Sequence, residues 1–425
     1  MNTVVIIGGG ASGLMAALEL LKHNIQVTII EAKNRLGGRI CTSNKGGFSQ
    51  PVETGAEFIH GNLPLTLSLL DEAGIAYHSF NDKMVHIEKG QLKQESGLDH
   101  YWNKLMKQMA ALKHDMPLND FLNSFFSDSK YADLRTSVKS FANGFDLADA
   151  SVASTKSLYQ EWNKEMKDQY RIKEGYERLI QYLETECRQR GCLIYTDCCA
   201  KKISWRKNEV NILTMCSRIF KADKVMLTVP LSILHATSNS QYYVEFEPLI
   251  PEHIVAAGNI GFGNVIKIML EFTEELAKER IKHAGFFLTN EIIPTWWNQL
   301  PLNNTILTGW VGGEKVTSLK DNTDEDLLKI ALHSLSNAFH VPFSDLTTKL
   351  KAYKIANWYK EPHIHGGYSF NTIKSVEAKK ILRKPVNDTI FFSGEALYEG
   401  SPGGTVEAAL SSGKETATLL LKTLQ

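Results

Sequence analysis

The chain of 425 residues balances 47 Lys and Arg against 47 Asp and Glu, without the basic excess that phosphate-backbone binding draws on, so nucleic acid is not an expected partner. Hydrophobic residues at 43% with 30 glycines exclude a disordered or fibrous chain, and the length allows two or three domains at about 150 residues each. Six cysteines without regular spacing exclude a disulfide framework and point to a reducing, cytoplasmic setting.

In chain order, Val4-Val5-Ile6-Ile7 is a short β-branched run, as expected for a strand buried on both faces of a parallel sheet. It enters Gly8-Gly9-Gly10-Ala11-Ser12-Gly13, and Leu14, Ala17, Leu18 and Leu21 then recur with helical spacing. A second β-branched run, Val27 to Ile30, ends in Glu31. Although Val4 to Leu21 is nearly uncharged, no basic segment precedes it and glycines interrupt it, so it reads as neither a targeting signal nor a span. No run approaches ~20 apolar residues, and the closing Ala417 to Gln425 carries no hydrophobic tail; a soluble protein without a membrane partner is expected.

From Gly74 to about Asp168 the pattern is mainly helical, with Leu98 to Lys113 and Leu118 to Phe126 the clearest helices. A helix after Gly175 leads into strands at Val210 to Leu213 and Ala222 to Pro230. Strands return near Val265 and Trp310, a long amphipathic helix spans Asp324 to Phe339, and Thr389 to Phe392 then precedes a last helix, Val406 to Leu421. With no repeats or linkers, the domains are expected to be interleaved along the chain.

Gly8, Gly10 and Gly13 satisfy G-x-G-x-x-G between a buried strand and an amphipathic helix. The glycines permit a tight turn and close approach of a pyrophosphate to the N–H groups at the helix start. Glu31 lies eighteen residues beyond Gly13, where a ribose hydroxyl needs an acceptor. A dinucleotide is the expected ligand. Cys187, Cys192, Cys198 and Cys199 lack C-x-x-C spacing and a neighbouring histidine, so they read as small buried residues and no metal is expected.

The stretch Glu31-Ala32-Lys33-Asn34-Arg35-Leu36-Gly37-Gly38-Arg39 resembles the E-A-x-x-R-x-G-G-R signature of the flavin-containing amine oxidase family. That family includes monoamine and polyamine oxidases, L-amino-acid oxidases and lysine-specific histone demethylases. The resemblance continues in Glu53-Thr54-Gly55-Ala56-Glu57-Phe58-Ile59-His60-Gly61, in Phe392-Ser393-Gly394-Glu395 and in Gly404-Thr405-Val406-Glu407-Ala408-Ala409. It implies an α/β fold with a Rossmann-like FAD-binding domain, its parallel sheet discontinuous in sequence (1–78, 172–236 and 360–425). A second, α+β substrate-binding domain would hold 79–171 and 237–359.

FAD is the implied cofactor. Gly8, Gly10, Ala11, Ser12 and Gly13 would take its pyrophosphate and Glu31 its ribose, while Ala32, Arg35, Gly37, Gly38 and Arg39 wrap the phosphates with a fixed cation. The resemblance sets Gly55, Ala56, Glu57 and Phe58 against the flavin ring, Ala200 at the adenine, and Gly394 and Glu395 at the ribityl chain. Gly404, Thr405 and Val406 begin the last helix, whose positive end would face the charge that develops on the reduced ring.

Lys267 divides the two kinds of reading. Alternation in Val265 to Phe272 puts Ile266, Ile268 and Leu270 on one face and Lys267 with Glu271 on the other, which by itself favours a solvated lysine. The resemblance implies instead a catalytic lysine near the flavin, where desolvation favours the neutral form. Trp358 and Tyr368 match the family's N-W…G-x-Y stretch, with Tyr368 as one wall of an aromatic cage. Thr405 stands where monoamine oxidases have the opposite tyrosine. Gly367 stands where they bond cysteine to FAD, so a non-covalent flavin is expected.

Polyamine oxidases carry a histidine or an acid at the place of His60. L-amino-acid oxidases need a nearby arginine, but the matching residue is Phe58. The implied reaction is oxidation of a polyamine or simple amine, by hydride transfer from its α-carbon to flavin N5. It yields an imine, then an aldehyde, and hydrogen peroxide once oxygen is reduced. Two alternatives stay open: a same-fold desaturase or oxidase of a non-amine substrate, against which Lys267 and the Trp358–Tyr368 stretch speak, and a flavoprotein acting mainly as a partner-binding module. Against the latter, the chain lacks the long insertions of the histone-demethylase branch.

Overall fold

The computed structural model describes residues 2–80, 83–93, 99–164, 169–274, 284–302, 304–400 and 403–424. Its first body is built on a five-stranded parallel sheet in the order Leu193–Tyr195, Gln26–Ile30, Thr3–Ile7, Lys224–Leu227, Ile390–Phe392. The central strand shows why its sequence is an unbroken apolar run. Val4 and Ile6 pack into one hydrophobic cluster with helices Ala11–Leu21, Glu177–Gln189 and Val406–Lys422, while Val5 and Ile7 pack into another on the opposite face. The sheet draws strands from both ends of the chain, which is the discontinuous Rossmann-like arrangement.

The second face is covered by a smaller sheet in the order Ile219–Ala222, Glu209–Thr214, Ala200–Arg206, Glu245–Glu247. The apolar run Ala222 to Pro230, read from sequence as one strand, is broken at Asp223. That carboxylate accepts hydrogen bonds from Thr3 N (2.7 Å) and Thr3 Oγ1 (2.8 Å), and the chain passes there from one sheet to the other. Phe246, Ile250, Ala256, Ala257 and Ile260 also belong to this core. The stretch 245–260, assigned from sequence to the substrate body, therefore packs with the first body.

The second body carries a seven-stranded sheet ordered Leu350–Asn357, Val265–Phe272, Ile306–Gly312, Thr295–Asn298, Phe286–Leu288, Met84–Glu88, Gln91–Lys93. Helix Asp324–Phe339 covers one face, started by a capping box in which Thr323 and Asp326 exchange side-chain and backbone hydrogen bonds. The region from Gly74 to Asp168 was expected to be mainly helical; it also contains strands Tyr77–Ser79, Met84–Glu88 and Gln91–Lys93. Helices Asp99–Ala110 and Leu118–Phe125 match two predicted ones, with Leu98 and Asp168 outside the described residues. No helix among the described residues is long and apolar enough to cross a membrane.

Glu407, in the first turn of the last helix, reaches back to the chain's N-terminal third. Its buried carboxylate accepts from Leu65 N (3.0 Å), Thr66 N (2.7 Å) and Thr66 Oγ1 (2.6 Å). It thereby caps helix Pro64–Glu72, whose own N-cap residue supplies no side-chain bond. Glu407→Ala strands these donors in the interior and should cost roughly 2–3 kcal/mol in denaturant unfolding. An unchanged midpoint would show that the cap carries no weight.

Candidate active site

One large cavity, about 1880 Å³, runs from the glycine turn of the first body to an aromatic wall of the second. Its glycine-turn end contains Gly8, Gly10, Ala11, Ser12, Glu31, Ala32 and Ala200. Gly37, Gly38, Arg39, Gly394, Glu395, Gly404, Thr405 and Val406 line it further along, and Gly55, Ala56, Glu57, Phe58, His60, Lys267, Trp358 and Tyr368 line it as well. Of the residues singled out from sequence, only Gly13 and Arg35 are absent from its wall.

The three motif glycines are there for different reasons. Gly8 has φ +114°, and a Cβ would sit 2.6 Å from Thr228 Oγ1. At Gly13 a Cβ would lie 2.1 Å from the Gly8 carbonyl oxygen, so helix Ala11–Leu21 could not pack against the turn. Gly10 is unlike both: φ is −80°, and a Cβ would meet nothing closer than the Gly37 oxygen at 4.0 Å. No protein contact demands a glycine there. A ligand lying against the backbone at the helix N-terminus does, so this cradle fits a dinucleotide pyrophosphate.

Glu31 accepts from Gly9 N (2.7 Å) and Lys33 N (2.9 Å), which fixes its carboxylate at the end of the second strand. Burial raises its carboxyl above the usual value, against those backbone bonds. Arg35 bonds the carbonyls of Leu36, Ile40 and Gly38 at 3.1, 3.0 and 2.9 Å, so its cation shapes the glycine loop from outside the cavity. Arg39 donates to Gly367 O and to Glu395 Oε1, both at 2.8 Å. Trp358 donates from its indole to Thr54 O at 2.7 Å, supporting the backbone ahead of Gly55. Thr405 caps the last helix by accepting from Ala408 N, and the start of that helix lines the cavity.

Lys267 is 1% exposed, and no solvated lysine survives. Its strand is covered on both faces. Ile266, Ile268 and Leu270 pack with helix Asp324–Phe339, and the polar face turns toward the cavity and the first body. There Lys267 Nζ lies 2.6 Å from Glu57 Oε2 and 3.1 Å from Gly55 O. It is not a bare desolvated amine but half of an ion pair. Arg171 takes the other carboxylate oxygen at 3.0 Å, as does the Trp297 indole N–H at 3.0 Å. Burial alone would raise the Glu57 carboxyl; Lys267, Arg171 and the hydrogen bonds outweigh it and hold the group below its usual value.

The Arg171 guanidinium is spent on structure. It lies over the rings of Phe58 (4.6 Å) and Phe80 (4.0 Å) and donates to Asn298 O at 3.0 Å. It does not line the cavity, so it offers no free cation to a substrate carboxylate.

Register explains the aromatic wall. Lys267 is paired across the sheet with Trp310, which in turn pairs with Thr295, so these side chains share a face with Trp297 two residues on. Tyr368 stacks on Trp310 at 6.5 Å between centroids, and its hydroxyl donates to Phe145 O. Burial raises the Tyr368 phenol, which stays neutral. His60 Nδ1 lies 2.7 Å from Gln169 Oε1, so it carries the proton and leaves Nε2 as an acceptor; burial lowers the imidazole's pKa and keeps it uncharged. Beside them, burial pushes the Asp146 carboxyl up to about 8, against the Trp162 indole N–H at 2.9 Å. Glu57's ionic role, Arg171, Trp297, Trp310, Phe145 and Asp146 were not anticipated. They become neighbours through strand register and long-range packing, which local patterns do not encode.

Comparison with known proteins agrees with this geometry. Lysine-specific histone demethylase 2 of Homo sapiens is 26% identical over 98% of this chain and 53% of that protein. Polyamine oxidase 2 of Arabidopsis thaliana is 25% identical over 97% of this chain and 86% of that protein. The chain thus spans about half the length of that histone demethylase and most of the length of the plant oxidase. Among solved structures, wild-type putrescine oxidase bound to putrescine superposes with a TM-score of 0.81 at 19% identity, covering 99% of each chain. Cyclohexylamine oxidase from Brevibacterium oxydans gives a TM-score of 0.81 at 17% identity over 100% of this chain and 99% of that one. Both show the shared fold. A family model for flavin-containing amine oxidoreductases matches residues 11–421, a span that begins just after the first motif glycines and takes in the buried lysine and nearly all of the last helix, and the chain belongs to that family.

Proposed function

We propose that the protein is an FAD-dependent amine oxidase acting on a polyamine or simple amine, with oxygen as acceptor and an aldehyde and hydrogen peroxide as products. The observation that carries this reading is a buried Lys267–Glu57 pair on an aromatic wall that shares one cavity with the dinucleotide cradle. FAD would be held by the Gly8–Ser12 turn, Glu31, Arg39, Glu395 and the start of the last helix. When bound, it supplies the two-electron acceptor that no side chain can provide.

The residues at the other end have separable tasks. Tyr368, Trp310 and Trp297 exclude water and favour the neutral amine, whose lone pair the oxidation needs. His60 presents Nε2 as an acceptor to a substrate N–H. Neither Phe58 nor the ion-paired Arg171 offers an anchor for an α-carboxylate. The polyamine and putrescine oxidases among the similar proteins support an amine substrate. The same likeness extends to histone demethylases, so a methylated lysine peptide belongs in any substrate test.

The flavin is expected to be non-covalent. Gly367 lines the cavity, and even a Cβ there would lie 2.5 Å from Leu147 Cδ1, so the site has no room for a cysteine without rearrangement. Denaturation should release all FAD into the supernatant. Flavin that remains with precipitated protein would contradict this.

For the substrate, anaerobic mixing of the holoenzyme with putrescine, spermidine, spermine, benzylamine, a dimethyl-lysine peptide and L-leucine separates the readings by flavin bleaching. A free amine should bleach fastest, with a rate that rises with pH through a group below a free amine's ordinary pKa. His60→Ala should weaken apparent binding more than it lowers the limiting rate. Fastest bleaching by L-leucine or by the peptide would overturn the substrate assignment while leaving the family intact.

A further inference from the structure

Two cysteines that the proposed reaction does not use, Cys198 and Cys216, come together beside the strand pair Ala200–Arg206 and Glu209–Thr214. Ala200 pairs with Thr214 in the antiparallel ladder, and Met215 N donates to Cys199 O at 2.8 Å. Just beyond the strand ends, this brings Cys198 and the turn residue Cys216 close together. Thr214 Oγ1 lies 3.2 Å from Cys216 Sγ, and the two thiols are near enough to affect each other's ionisation. Both are reduced in this structure.

The pair is chemically unequal. Cys216 is exposed in a tight turn where Ser217 has φ +63°, whereas Cys198 is buried at 2% exposure. The Thr214 hydroxyl and the Arg218 N–H hold the Cys216 thiol below its usual value, while burial raises that of Cys198. An exposed thiol whose ionisation is favoured, beside a shielded one, is the arrangement of attacking and resolving cysteines. Cys187 and Cys192 differ, since burial pushes them up to about 12 and about 11. Cys198 also lines the cavity, and its N–H donates to Glu31 O at 2.8 Å, so a bond formed here would lie beside the cradle's ribose end.

We propose that Cys198 and Cys216 form a reversible disulfide with hydrogen peroxide as oxidant. The Cys216 thiolate attacks one peroxide oxygen, the O–O bond breaks, and water leaves after protonation, giving a sulfenic acid. The Cys198 sulfur then attacks the Cys216 sulfur, the S–O bond breaks and a second water leaves. Two thiols are oxidised and one peroxide is reduced. The inference goes beyond amine oxidation and does not depend on it, because the peroxide can be supplied from outside.

The test is treatment of the holoenzyme with hydrogen peroxide, followed by alkylation under denaturing conditions and peptide mapping. Alkylation of Cys198 and Cys216 should fall together, a linked peptide should appear lighter by two hydrogens, and dithiothreitol should restore both thiols. Cys198→Ser should leave a sulfenic acid on Cys216 that dimedone captures, and Cys216→Ser should leave Cys198 alkylatable. Wild-type protein in which both thiols stay alkylatable, or in which Cys216 passes to sulfinic acid without linking, would overturn the proposal.

Discussion

The Glu57 carboxylate is the point on which the site depends. It sits after a short strand of the first body and is met by Lys267 and Trp297 from two strands of the second body's sheet. Arg171, from a strand paired with Ile59–His60, closes the set. Moving one carboxylate and two cations out of water is expensive, and the attraction among them roughly repays that cost when geometry is good. Such a group adds little net stability. Its effect is on placement, because any packing of the two bodies that separates Glu57 from its partners strands a charge in the interior.

That constraint accounts for much of the surrounding architecture. Lys267 is drawn to the cavity wall beside Gly55, a position whose own Cβ would lie 2.0 Å from Arg39 O. Arg39 in turn bonds Gly367 O and Glu395, so the glycine loop, the strip ahead of Tyr368 and the strand end at Glu395 are tied to one side chain. A hinge between the bodies would have to break several charge-assisted bonds at once. The cavity is therefore a fixed vessel at its centre, with a polar cradle toward one end and a dry aromatic face toward the other.

Legibility in the sequence followed the range of the interactions. The βαβ unit was readable because its strand, turn and helix contacts lie within one short stretch, and helix Asp324–Phe339 because its amphipathic pattern is local. The resemblance supplied the family, the cofactor and Lys267. Alternation in Val265–Phe272 correctly separated two faces but carried no information on what covers the polar one, which here is a cavity and a carboxylate. Met84–Glu88, a strand the sequence reading missed, pairs with nearby Gln91–Lys93 on one side and with Phe286–Leu288, two hundred residues away, on the other. Arg171, Trp297 and Trp310 carry no motif; only register and packing bring them to Glu57 and Lys267.

The central claim is that Glu57 and Lys267 act as one buried pair, and a double-mutant cycle on unfolding free energy addresses it most directly. Glu57→Gln leaves Lys267 and Arg171 uncompensated and should cost about 3–5 kcal/mol. Lys267→Met leaves Glu57 paired with Arg171 and should cost less. In the double variant the lysine no longer needs its partner, so the combined loss should fall short of the sum by about 1.5–3 kcal/mol. Losses that add to within about 0.5 kcal/mol would mean that the two groups are not coupled, and would contradict the account.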